Sequence, residues 1–365
     1  MHTLQNLLTD SLGAVYTAAS VEIRHRNAVI YRAQFGTTDR EGDLLNGAPV
    51  KKDTLFDLAS LTKLFTTTAF LRLVEAGRVK IDTPLSDILP EFSGARPIRP
   101  YDDPLNLGQM VSVVPPTTET VDASAITFRQ VLSHSSGLPA WVNLRLAATE
   151  AERRQMILES PFAYPSGSRV VYSDVGFMLL GLAIEKITDA PLKSALNRLV
   201  IRPLEMDARF GKIAENVPPT EFDQAWRGRR VWGEVHDENA ATLNGIAGHA
   251  GLFGTASDCA TLGQIYLSEG GGFIGKRLAR EATTHQIADR GLGWMMRSAE
   301  GSSSGQFFSA ESYGHTGFVG TSLWVDPGRK IVAALLTNNV FFGRDKTAIL
   351  AFRPRFHDAL IEALG

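Results

Sequence analysis

Residues 13–25 and 27–35 alternate between apolar and polar positions, carry Val, Ile and Tyr, and meet at Arg26-Asn27, which predicts a β-hairpin. The far end of the chain repeats the pattern. Residues 313–326 and 330–338 predict a second hairpin across Pro327-Gly328, followed by a helix over about 346–364. Between the two ends the apolar period lengthens, and helices are expected over 61–76, 126–133, 149–159, 174–188, 191–200 and 257–268. Strands at both termini with helices between them imply an α/β protein of the α+β type: an antiparallel sheet flanked by helices, with a mostly helical domain inserted into it. The sheet domain would comprise 1–62 and 286–365, and the helical domain 63–285.

Residues 94–122 fit neither period and contain Pro97, Pro100, Pro104, Pro115 and Pro116. A stretch of this kind inside a compact chain is either a linker or a loop that shapes a site. Composition narrows the class further. At 365 residues, 44% hydrophobic and 21% charged with a net charge of −2, the chain has the balance of an ordinary globular protein and no basic field for nucleic acid. The longest apolar runs, 177–184 and 331–336, are too short to span a bilayer. No signal-peptide pattern occurs in the first twenty residues, so the expected location is the cytoplasm. The single cysteine, Cys259, lies in an apolar stretch and reads as a buried structural thiol. Neither an oligomeric state nor a cofactor is indicated.

Candidate chemistry concentrates at Ser60 and Lys63. Residues 54–58 read as a short strand, and Leu61, Phe65, Ala69 and Leu73 recur every four residues up to a helix stop at Gly77. Ser60 therefore falls where a strand turns into a helix, with Lys63 one turn away on the same face. Serine needs a partner to remove its proton, and a helix start offers free N–H groups to a developing oxyanion.

Two short motifs follow in order, Tyr172-Ser173-Asp174 and His315-Thr316-Gly317. With them the sequence resembles the serine β-lactamase and penicillin-binding-protein superfamily, and most closely its class C-like branch of β-lactamases, D-amino-acid peptidases and esterases. The resemblance extends through 127–138 (TFRQVLSHSSGL), 167–181, 235–260 (VHDENAATLNGIAGHAGLFGTASDCA), Gly291-Leu292-Gly293-Trp294 and 314–339. It implies that Ser60 is the nucleophile, Lys63 its partner, and Tyr172 the phenol that takes the proton and later activates water. It also implies an edge strand at His315, Thr316 and Gly317, and an oxyanion hole made by the backbone N–H groups of Ser60 and Phe318. An ammonium beside Tyr172 would favour the phenolate and bring it into working range. Gly314 and Gly317 would let substrate backbone approach the strand.

The expected activity is acyl transfer to water through an acyl-enzyme, from cell-wall-derived or D-amino-acid-containing peptides, with carboxylesterase, β-lactamase and a catalytically silent cell-wall-fragment binder as the other readings. Asp174 stands where the family usually has asparagine; it either orients Lys63 and holds it charged or meets a substrate ammonium. His315 replaces a lysine common among relatives, which leaves less fixed positive charge for the carboxylate of a β-lactam. His236 and Asp237 are candidate substrate contacts, whereas His249 and His134 read as braces for their loops. The run from His236 to Asn239 with His249 lacks the spacing of a metal site, so no metal is assigned. Residues 301–305 (GSSSG) fit a nucleophile elbow in letters but lack its strand and helix, and read as a flexible loop. Residues 270–276 resemble a phosphate loop but place Arg277 where a magnesium-binding hydroxyl belongs.

Overall fold

A computed structural model describes residues 1–106, 108–113 and 119–365. Its centre is a six-stranded antiparallel sheet made from both ends of the chain. The strands are β1 (Ala18–His25), β2 (Ala28–Gly36), β3 (Met295–Met296), β4 (Tyr313–Thr316), β5 (Ser322–Asp326) and β6 (Ile331–Thr337), in the order β3-β4-β5-β6-β1-β2. The first and last segments close the sheet by pairing β1 with β6, from Ala19 opposite Thr337 to His25 opposite Ile331. Arg26 and Asn27 take φ values of 50° and 70°, the left-handed pair that a two-residue hairpin turn needs.

The second hairpin departs from the sequence pattern. Residues 313–326 form two antiparallel strands, β4 and β5, instead of one arm. The chain reverses between them, with the Gly317 N–H donating to the Thr321 carbonyl at 2.8 Å and Gly320 at φ 121°. Polar-apolar alternation runs through that turn, so periodicity alone could not mark it.

Alternation along β6 sorts its side chains to two faces. Ile331, Ala333 and Leu335 pack with Leu4, Leu8, Trp324, Phe352 and Phe356, which places α1 (His2–Asp10) and the C-terminal helix on one side. Val332, Ala334 and Leu336 join the main core on the other side, together with α2 (Thr62–Glu75), α3 (Asp174–Thr188) and α4 (Ala256–Leu267). The C-terminal helix is α5 (Thr347–Leu364). That main cluster draws on residues from both the sheet and the segment 63–285. Cys259 is buried in it, and burial raises its thiol pKa well above the ordinary value.

Helix α2 is more enclosed than its stripe at every fourth position suggests. Residues 62–71 are buried on all sides, including Lys63 and four threonines. Thr66 and Thr68 satisfy their hydroxyls within the core, on the Gly248 carbonyl at 2.8 Å and the Leu64 carbonyl at 2.7 Å. A helix buried all round is held rigidly, which suits the element that carries Lys63.

The described part of the proline-rich segment is organised by two short ribbons, Ala95–Pro97 with Thr120–Asp122 and Tyr101–Asp102 with Met110–Val111. Pro104 and Leu105, at its tip, reach the cleft described below. Pro115 and Pro116 lie outside the described residues. The Ser/Gly stretch 301–305, expected to be flexible, is packed: Trp324 Nε1 donates to Ser303 Oγ at 3.0 Å, and Ser302 and Ser304 share a 2.8 Å hydroxyl contact. Among the described residues, no helix is long and apolar enough to cross a membrane.

Candidate active site

Ser60 sits on a single 3-10 turn, Ala59–Leu61, that leads directly into α2. The turn begins with Ala59 at φ 46°, a left-handed conformation that costs an alanine on the order of 1 kcal/mol or more. The buried carboxylate of Asp57 holds it there, accepting the Ala59 N–H at 2.8 Å and, with its other oxygen, the His236 N–H at 2.7 Å. Asp57 was not marked by any motif; its signal is only a carboxylate two residues before a strained turn. Burial raises the Asp57 pKa in spite of these two donors.

Lys63 is fully buried, with Nζ 2.9 Å from Ser60 Oγ, 3.2 Å from the His249 carbonyl oxygen and 2.7 Å from Asp174 Oδ1. The Ser60 and His249 oxygens accept protons of the ammonium, and the Asp174 carboxylate supplies its counter-charge. Burial is the largest single influence on Lys63 and favours the neutral amine, but the Asp174 carboxylate opposes it first among its neighbours, and the net shift is upward. Asp174 is placed for this by Ser173, which caps α3 through its hydroxyl on the Gly176 N–H at 3.1 Å, leaving Asp174 at the favourable positive end of the helix.

Tyr172 approaches from the other side, its hydroxyl hydrogen-bonded to both Lys63 and Ser60. His134 braces it: the rings lie 4.6 Å apart, and His134 Nδ1 accepts the Ser173 N–H at 3.0 Å. Burial, the largest influence on the phenol, and the Asp174 charge exceed the effect of Lys63, so the Tyr172 pKa is raised. The expected phenolate is therefore not the resting form. The reason is chiefly the burial of the phenol, to which the Asp174 charge adds.

At the end of β4, His315 donates from Nδ1 to the Thr316 carbonyl at 2.8 Å. Burial and the nearby Lys63 depress its pKa to about 3, so the ring is neutral, in line with the low fixed charge read from the histidine. Gly317 and Gly314 have a different purpose from the one expected. A Cβ on Gly317 would lie 2.0 Å from Thr321 Oγ1 and 2.8 Å from the Leu58 carbonyl, and one on Gly314 would meet the Leu323 carbonyl at 2.4 Å. Both glycines admit the protein's own backbone; at Gly317 this presses the end of β4 against the nucleophile turn. Gly317→Ala is expected to lower the melting temperature and cut acylation at least tenfold, since the turn and Ser60 must move apart; unchanged melting and rate would show that the approach does not matter.

Among the described residues, no internal hydrogen bond uses the N–H of Ser60 or that of Phe318. The Phe318 ring is held between Lys346, whose Nζ is 3.5 Å from the ring centre, and the stacked His236 ring at 5.5 Å. His236 Nε2 meets Glu221 at 2.6 Å, and Arg344 joins Glu221 to Glu238. Asp237 accepts the Ala240 N–H at 2.7 Å and pairs with His249 Nε2 at 2.9 Å. His236 and Asp237 thus border the cleft with their polar atoms already engaged in holding the loop. Asp174, Asp237 and His249 each offer a possible ligand atom within 4.8 Å of the others, but Lys63 already fills that position with positive charge, which a divalent cation would have to face.

Two chambers open on either side of Ser60, Tyr172 and Phe318. One, of about 340 Å³, is lined by Asp174, Asp237 and Glu238 with Trp141, Leu105 and Arg344. The other, of about 320 Å³, is lined by Arg290, Lys346 and Arg353 with Leu105, Met295 and Leu350, and no described carboxylate lines it. Burial and the neighbouring Arg353 and Arg344 lower the Lys346 pKa to about 7. These cations were missed in the sequence because they come from three separate segments and belong to no short motif.

The sequence profile of the Beta-lactamase family matches residues 5–352. An Escherichia coli K12 protein provisionally named a D-alanyl-D-alanine carboxypeptidase is 27% identical over 376 aligned positions, covering 93% of this chain and 82% of its own length. Among solved structures, EstCE1, described as a hydrolase with promiscuous acyltransferase activity, superposes with a TM-score of 0.73 at 20% identity, covering 97% of this chain and 98% of its own. The octameric penicillin-binding protein homologue from Pyrococcus abyssi gives 0.71 at 20% identity, covering 99% and 77%. A family match over nearly the whole chain and the shared mixed helix and antiparallel sheet architecture agree with the site built from Ser60 upward: the chain belongs to the Beta-lactamase family, and it is a serine hydrolase.

Proposed function

We propose that the protein hydrolyses peptides ending in a D-amino acid with a free carboxylate, of the kind released from cell walls, through an ester on Ser60. The observation that carries this reading is the chamber beside β4, lined next to Ser60 by Arg290 and Lys346 and by no described carboxylate, although Arg290 Nε also meets Asp289 at 3.4 Å outside that lining. A terminal carboxylate there would place the last peptide bond at Ser60, with its carbonyl oxygen toward the Ser60 and Phe318 N–H groups. The name given to the Escherichia coli relative supports the same substrate class.

Because Lys63 rests as an ammonium and Tyr172 as a phenol, we assign Tyr172 the role of a relay. As Oγ bonds to the carbonyl carbon, the phenol oxygen receives the Ser60 proton while its own proton moves in the same step to the substrate nitrogen, so that the nitrogen leaves as a neutral amine when the C–N bond breaks. Lys63 holds both hydroxyls in place throughout. With the phenol pKa raised above 10, phenolate is below about one part in a thousand at pH 7 and grows tenfold per pH unit. A phenolate base would make acylation climb with that slope, whereas the relay gives a level rate for a neutral ester between pH 6 and 9. Stopped-flow acylation across that range separates the two.

The substrate assignment is tested with a panel of D-alanyl-D-alanine peptides, their C-terminal amides, esters and β-lactams. The free-carboxylate peptides are expected to be turned over at least tenfold more efficiently than the amides. Equal efficiency would remove the chamber from the argument, and cephalosporin hydrolysis at the rates of dedicated β-lactamases would replace the peptide reading.

A further inference from the structure

The peptide that carries the Phe318 N–H is gripped from behind by a buried arginine. Arg353, on α5 and 5% exposed, donates from Nη2 to the Gly317 carbonyl at 2.9 Å and to the Thr321 carbonyl at 2.7 Å. The Gly317 carbonyl and the Phe318 N–H are opposite ends of one planar peptide group, so a bond that fixes the oxygen also fixes the direction of the N–H. The two carbonyls that Arg353 joins are those that close the turn between β4 and β5, since the Thr321 oxygen also accepts the Gly317 N–H at 2.8 Å and the Gly317 oxygen the Gly320 N–H at 3.2 Å.

Among the described residues no carboxylate is paired with Arg353, although burying an unpaired guanidinium is costly. Burial lowers its pKa only to about 10, so the charge persists at neutral pH. A cation on a carbonyl oxygen draws electron density toward it and strengthens the N–H at the far end of the same peptide as a donor. Lys346 treats the next peptide similarly, donating to the Phe318 carbonyl at 2.7 Å.

We propose that Arg353 is a positioning residue for the oxyanion hole, holding the Gly317–Phe318 peptide so that its N–H points into the cleft and donates strongly to the tetrahedral intermediate. The inference rests on the acyl-enzyme reading above. The alternative, a direct contact between Arg353 and a substrate carboxylate, is open to it because Arg353 also borders the cationic chamber.

A neutral substrate distinguishes the two. Full-length Arg353→Ala and Arg353→Lys proteins would be assayed on p-nitrophenyl acetate, with ethylguanidinium added to the alanine variant. Losing one oxyanion donor outright costs on the order of a hundredfold or more, so Arg353→Ala is expected to reduce kcat roughly ten- to a hundredfold with KM nearly unchanged. Ethylguanidinium should restore part of that loss, and Arg353→Lys should fall between the two. A kcat within about twofold of wild type, or a loss confined to the KM of carboxylate-bearing substrates, overturns the proposal. If the alanine variant does not fold, an unchanged kcat in Arg353→Lys overturns it equally. Failure of the underlying acyl-enzyme reading would show separately, as a wild-type protein that forms no adduct on Ser60.

Discussion

Ser60→Ala is expected to yield a folded protein that forms no covalent adduct with a fluorophosphonate and turns over substrate roughly 10⁴- to 10⁶-fold more slowly than wild type. The substitution removes only the hydroxyl. Lys63 keeps its ion pair with Asp174 at 2.7 Å and its bond to the His249 carbonyl at 3.2 Å, so the buried charge stays compensated and the fold should not suffer. The backbone N–H of residue 60 also remains, which leaves residual binding of the substrate carbonyl. Intact-mass spectrometry and steady-state rates on the same preparations provide the check. An adduct that persists on the alanine variant, or turnover equal to wild type, would remove Ser60 from the mechanism. A wild-type protein that forms no adduct while its fold is intact would instead favour the silent binder.

Lys63→Met is expected to cost both stability and rate. It leaves Asp174 facing the space where its counter-ion stood. Breaking a buried ion pair from one side typically costs about 3–5 kcal/mol, and the 18% exposure of the Asp174 side chain places this case toward the lower end. Acylation should fall by roughly three orders of magnitude or more, because nothing then holds the Ser60 and Tyr172 hydroxyls in register. The double variant Lys63→Met, Asp174→Asn should recover most of the stability, since no charge is left unpaired, yet none of the rate. Urea unfolding and single-turnover acylation measure the two effects separately. A double variant as unstable as the single one would mean that charge compensation is not what Asp174 supplies, and acylation by Lys63→Met within tenfold of wild type would mean that the lysine is dispensable.

Asp174 and His315 acquire physical meaning in the cleft. Asp174 forms an ion pair that holds Lys63 charged, while burial, with the Asp174 charge added to it, keeps Tyr172 a phenol. His315 is neutral by burial, so the positive charge near the nucleophile comes instead from Arg290, Lys346 and Arg353. Charge has been moved from the strand to a loop and a helix. That arrangement suits a substrate whose carboxylate lies deeper in the chamber than the edge of β4.

Much of the protein was legible from local pattern, and the reason is the same in each case. A hairpin announced by alternation and a two-residue turn at Arg26-Asn27, and helices announced by a repeat near 3.6, depend on residues a few positions apart. Ser60 and Lys63 share one helical turn, and Tyr172 and Asp174 flank one helix start, so their short motifs survive in the linear text. The helices at His2–Asp10 and Lys276–Ala282 leave little periodic signal because both are short and owe their stability to what they pack against.

By itself the sequence determined most of the elements, the sheet assembled from both chain ends, and the placing of Ser60 and Lys63 on one helical turn, because each of these follows from spacing along the backbone. Only the tertiary structure decided the protonation of Tyr172, the purpose of Gly314 and Gly317, the brace of Asp57 on the nucleophile turn, and the grip of Arg353 on the peptide before Phe318. These depend on burial and on distances between segments far apart in the chain, as between Leu58 and Thr321, 263 residues apart. Burial changes the cost of charge, and packing decides which carbonyl meets which cation; neither quantity is written in the spacing of residues along the chain.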